Sequence, residues 1–90
     1  MAEIFVTAQS SDEFLVSVQD EGGTSTHLVR VTPESLERYG EGQDAETLLE
    51  KSFEFLLERE PKESILSRFE LPVIESYFPE YPGEIRSRLA

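Results

Sequence analysis

The chain has no cysteine and no tryptophan. Without cysteine there is no disulfide, no thiol nucleophile and no thiolate zinc site. That suits a reducing compartment. His27 is the only histidine, so no second imidazole completes a familiar metal set. Basic residues are also scarce: eight Lys and Arg face nineteen Asp and Glu, for a net charge of −11. Nucleic-acid affinity is mostly cation–phosphate electrostatics. A surface this acidic repels phosphate backbones and anionic lipid, so direct nucleic-acid binding through a broad face is not expected. No stretch approaches the roughly 20 apolar residues of a membrane-spanning helix. Met1 to Ser10 has neither a basic n-region nor a long apolar run, so no signal peptide is read there and a cytoplasmic location is expected.

Catalytic motifs are equally scarce. Gly22-Gly23 lacks the spacing and the Lys-Ser/Thr of a phosphate-binding loop. No serine sits in a Gly-x-Ser-x-Gly elbow. The sequence therefore predicts no catalytic residues, no cofactor, no metal site and no enzyme.

What is present is enough for one fold. Ninety residues is a single-domain length, and such a chain buries roughly 60% of its unfolded surface. Hydrophobic residues make up 38% and recur along nearly the whole chain. The front alternates. Ile4, Val6 and Ala8 interleave with Phe5 and Thr7, and Phe14, Val16 and Val18 with Leu15, Ser17 and Gln19. Period two means strands. Asp20-Glu21-Gly22-Gly23 marks a turn, after which His27, Val29 and Val31 share a face. Strands are predicted at about 3–8, 13–20 and 25–32. They make an antiparallel hairpin or a three-stranded meander, with the pairing of the first strand least determined.

Helices follow. Thr32-Pro33-Glu34 has a capping residue, a preformed first position and an acid at the positive dipole end. It opens a short helix at 33–39, stopped by Gly40 and Gly42. Asp44 caps the main helix, expected over 45–60. Its stripe is Ala45, Leu48, Leu49, Phe53, Leu56 and Leu57, and Pro61 closes it. Three short helical pieces are expected at 62–69, 72–78 and 82–89, divided by Pro72, Pro79 and Pro82. The predicted class is α+β.

Two features point outward. Glu46, Glu50, Glu54 and Glu58 recur every four residues, in a row along one face of the main helix. Like charges at this spacing cost about 0.2–0.5 kcal/mol per pair, little beside the apolar stripe. The row reads as a docking face for a basic partner, or as a solvated face relieved by Lys51, Arg59 or Lys62. A straight row does not wrap a cation. The second feature is aromatic. Phe55 lies off the main stripe, and Tyr77 and Tyr81 fall in a proline-punctuated tail with Phe69 and Phe78. These rings either pack the core or meet a partner or a second copy. His27 reads as a sheet histidine with a structural hydrogen bond, or as an exposed one.

The stretch SFEFLLEREPKESILSRFELPVIESYFPEYPGEI, Ser52 to Ile85, resembles small bacterial proteins of unknown function. That resemblance implies a bacterial origin and a small stand-alone protein, with no activity attached. The order of strands before a helix and the acidic balance also resemble antitoxins of the HicB type. No returning strand after the main helix and no appended DNA-binding segment are visible. The expected function is a non-enzymatic module that binds a protein partner or itself. The alternatives are an antitoxin or inhibitor masking a basic partner, and an enzyme or metal-binding protein built on Glu residues.

Overall fold

Alternating apolar residues need one face against a core, and the front of the chain supplies three such rows in succession. In the computed structural model, which describes residues 2–90, they form β1 (Glu3–Ala8), β2 (Glu13–Asp20) and β3 (Gly23–Arg30). β1 pairs antiparallel with β2 from Glu3↔Gln19 to Ala8↔Phe14. β2 pairs antiparallel with β3 from Glu13↔Arg30 to Asp20↔Gly23. The meander therefore includes the first strand. The β2–β3 turn is held by Asp20, whose carboxylate accepts the Gly22 N–H at 2.8 Å. Gly23 then takes φ of 122°, a conformation open to a residue without Cβ.

The helices are α1 (Pro33–Tyr39), α2 (Ala45–Leu57), α3 (Val73–Tyr77) and α4 (Tyr81–Leu89). Thr32 caps α1, its hydroxyl accepting the Ser35 N–H at 3.2 Å. Asp44 caps α2 through the Thr47 N–H at 2.8 Å. Gly40 ends α1 with ordinary helical φ and is required for another reason. A Cβ there would lie 2.5 Å from the Leu36 carbonyl oxygen. α2 stops at Leu57, short of the Glu60 expected from sequence. Its last turn tightens, with the Glu58 N–H donating to Phe55 O and the Arg59 N–H to Leu56 O. Such i→i+3 bonds commonly close a helix end.

The larger departure is at 62–69, where the sequence predicts a helix. Lys62–Ser64 makes a single 3-10 turn and Ile65 is extended, with ψ of 134°. Arg68–Glu70 is then a fourth strand, β4. It runs parallel to β3 with Leu28↔Arg68, Val29↔Phe69 and Arg30↔Glu70. The Leu28 N–H donates to Ser67 O at 2.8 Å, and the Leu71 N–H to Arg30 O at 3.0 Å. The free side of β3 offers these bonds, and a helix could not take them. Phe69 points inward while Arg68 and Glu70 point out, an alternation over three residues that is too short to read as a period. β4 is also the returning strand that the sequence pattern concealed.

The sheet order is β1-β2-β3-β4. All helices lie on one face of it, over a core that includes Val16, Val18, Val29, Leu48, Leu49, Phe53 and Leu71. Phe5, Leu15 and Leu28 lie on the other face. Among the described residues no helix is long and apolar enough to cross a membrane.

Candidate functional site

The site is built where the end of α2 meets the segment that returns to the sheet. Pro61 and the 3-10 turn reverse the chain. Ile65 is buried, and the next residue, Leu66, is held by a side chain of the sheet: His27 Nδ1 lies 2.8 Å from Leu66 O. A carbonyl oxygen only accepts, so Nδ1 carries the proton. Nε2 lies 2.8 Å from the Ser25 hydroxyl, and a ring with its one proton on Nδ1 accepts from that hydroxyl. The imidazole is 2% exposed and tilts against Phe53, with centroids 5.3 Å apart. His27 is thus a structural histidine that aims Leu66 outward.

On the far side, α3 turns Ile74 inward and leaves Tyr77 exposed. The Phe78 N–H donates to Ile74 O at 2.8 Å. Phe78 packs edge-on against Phe55, centroids 5.8 Å apart. Between these walls lies a shallow apolar groove of about 30 Å³, floored by Leu56, Ile65, Phe69 and Ile74 and flanked by Leu66, Val73, Tyr77 and Phe78. A more polar depression continues from it over Ser64. Glu60 lines both and has no ion-pair partner among the described residues. The neighbouring cation turns away: Arg59 stacks over the Phe55 ring at 3.8 Å and pairs with Glu80 at 3.1 Å. The rim therefore carries an uncompensated carboxylate. Leu66 is 44% and Tyr77 65% exposed, so two large apolar side chains stand open beside one concavity.

Of the residues singled out from sequence, Tyr77 is at this groove. Phe55 and Tyr81 are not available to a partner, because both are fully buried. α4 packs along α2 on the side away from the sheet, so α2 buries a wider arc than one stripe. Glu46 and Glu50 are exposed and have no ion-pair partner among the described residues. Glu54 lies 3.7 Å from Lys51. Glu58 is gripped by both terminal nitrogens of Arg88, at 2.9 and 2.6 Å, and that hydrogen bonding holds its carboxyl below the usual range. Leu66 and Glu60 were not indicated by sequence, since both fall within stretches that it predicts as helix.

The buried hydroxyls do not suit proton transfer near neutrality. Burial and the Glu75 hydrogen bond push Tyr39 up to about 12, and burial pushes Tyr81 up despite Ser52. No group of three His, Asp or Glu side chains is placed to hold a metal among the described residues. What the groove offers is apolar surface beside one free carboxylate.

Replacing His27 by Leu removes the anchor of the groove wall. The expected cost is about 1–3 kcal/mol, because buried polar partners lose their hydrogen bond. Urea unfolding measures it, and faster amide exchange at Leu28 and over 66–70 is expected alongside.

Comparison with protein-family models, with curated proteins and with solved structures finds no match for this chain.

Proposed function

We propose that this protein is a non-enzymatic interaction module of the cytoplasm, and that it packs a large apolar side chain of a basic protein partner against Leu66 and Tyr77, over the shallow groove between the end of α2 and α3. The observation that carries this is the pair Leu66 and Tyr77, open beside an apolar groove with Glu60 unpaired on its rim. Binding energy concentrates where an anchor residue fills an apolar pocket, and exposed apolar patches rimmed by polar groups mark such sites. A Lys or Arg beside the anchor would answer Glu60. The −11 charge would speed encounter with such a partner and make the rate fall with salt.

Panning a random displayed-peptide library on the protein tests this. Enriched peptides are expected to carry one bulky apolar residue near a Lys or Arg. Their affinity is expected to drop about tenfold or more in Tyr77→Ser and in Leu66→Ser, the loss of one hot-spot contact. No enrichment, or binding indifferent to both substitutions, would remove the proposal.

A further inference from the structure

β1 is an outer strand of the sheet, and its far edge pairs with no strand among the described residues. A free edge is a row of unsatisfied N–H and C=O groups, and proteins usually block it with Lys, Pro, a bulge or a very short strand. The other edge is blocked this way: β4 has three residues, with Arg68 and Glu70 pointing out. β1 is not. It is EIFVTA, six residues with Glu3 as its one charge, and its register with β2 runs without a bulge. Beside that edge Phe5 is 47% exposed, on the face away from the helices.

We propose that β1 pairs antiparallel with β1 of a second copy, about a two-fold axis perpendicular to the sheet, to give one continuous eight-stranded sheet. This axis keeps the helices of both copies on one face, so residues of the same parity meet across it. Centring the axis on Phe5 sets Phe5 opposite Phe5, Ile4 opposite Val6 and Glu3 opposite Thr7. An aromatic pair then covers the open face, which is a favourable cross-strand match. The half-buried Ile4 and Val6 complete each other on the helical face. Each Glu3 meets a hydroxyl rather than the other Glu3. The strand is self-complementary in this register, and that selects a second copy over a strand of unrelated sequence.

Charge opposes the association, since each copy carries −11. Screening removes that opposition: the Debye length falls from about 10 Å at 0.1 M to about 3 Å at 1 M salt. Strand hydrogen bonds and apolar contacts are not screened in this way. The dimer therefore strengthens with salt, whereas a basic partner in the groove weakens.

Sedimentation velocity of the full chain over a range of concentrations, at low and high salt, tests the pairing. A dimer fraction rising with concentration and with salt is expected. Phe5→Lys sets two ammonium groups opposite each other and is expected to be monomeric throughout. Tyr77→Ser is expected to dimerise as the parent does. Because the chain has no other thiol, Phe5→Cys gives a clean register test. It is expected to form an intermolecular disulfide much faster than Thr24→Cys, which is exposed on β3. Circular dichroism checks that each variant is folded. A parent that stays monomeric at high salt overturns the proposal. So does a dimer that survives Phe5→Lys, or one that cross-links no faster through Phe5→Cys than through Thr24→Cys.

Discussion

Phe55→Ala is expected to lower the free energy of unfolding by about 3–5 kcal/mol, the range for truncating a buried aromatic. Small domains have about 5–15 kcal/mol in all, so this one substitution removes a large share. Phe55 is fully buried and joins three parts of the fold. Phe78 meets its ring edge-on at 5.8 Å, Tyr81 lies 5.5 Å away, and the Arg59 guanidinium covers it at 3.8 Å. Truncation opens a cavity between α2 and the α3–α4 segment and strips the cation of its stacking partner. Phe55→Leu keeps most of the apolar volume and is expected to cost clearly less. Urea unfolding followed by far-UV circular dichroism measures both. A residue that met a partner would behave differently, with stability within about 0.5 kcal/mol of the parent and only binding lost. That result would return Phe55 to the surface.

Phe55 also shows where sequence patterning stops. The strands were legible because β2 and the end of β3 alternate over enough residues to declare a period, and because turn residues bound them. α2 was legible as a helix, yet its burial was not. A helix against a single layer buries one stripe, and Phe55 lies off it. α2 is covered a second time by α4, with Tyr81 and Ile85 fully buried, so the arc widens to include Phe55 and Ser52. That second layer depends on how short helices divided by prolines fold back, which is a tertiary fact. β4 was hidden for a related reason. Three residues hold one inward side chain, Phe69, and its spacing from Ile65 fits a helix equally well. Only the free side of β3 decides the matter.

The glutamate row illustrates a different limit. Spacing by four places Glu46, Glu50, Glu54 and Glu58 on one face, but spacing cannot say what stands opposite. Arg88, thirty residues on, takes Glu58 with two hydrogen bonds, and Lys51 lies beside Glu54. The row is neutralised at its C-terminal end and bare at its N-terminal end. The groove lay further from view, because its walls come from residues 56 to 78 brought together by a turn. The histidine that fixes one wall sits in the sheet, 39 positions before the carbonyl it holds. Of the aromatics singled out in the sequence, Tyr77 is the exposed one, because its proline-bounded helix is too short to bury all its faces.

Tyr81→Ala is expected to cost about 3–5 kcal/mol, as for other large buried side chains. The conservative variants separate ring from hydroxyl. Ser52 Oγ donates its one proton to Leu48 O at 2.7 Å, so at the 2.7 Å contact between the two hydroxyls Tyr81 is the donor. Tyr81→Phe removes that donor and leaves Ser52 with its other bond, for an expected cost of about 1 kcal/mol. Ser52→Ala does the reverse. It strands a buried phenol O–H with no acceptor, and the expected cost is about 1–3 kcal/mol. The double substitution removes both ends and is expected to cost less than the sum of the two, since residues in one hydrogen bond are coupled. Unfolding curves for the four proteins form a complete cycle. Additive costs would mean that the hydroxyl pair contributes nothing and that Tyr81 acts as a ring alone. Groove binding supplies the independent control. Tyr81 reaches no surface, so Tyr81→Phe is expected to leave peptide affinity unchanged, whereas Tyr77→Ser, four residues earlier in the chain, loses it.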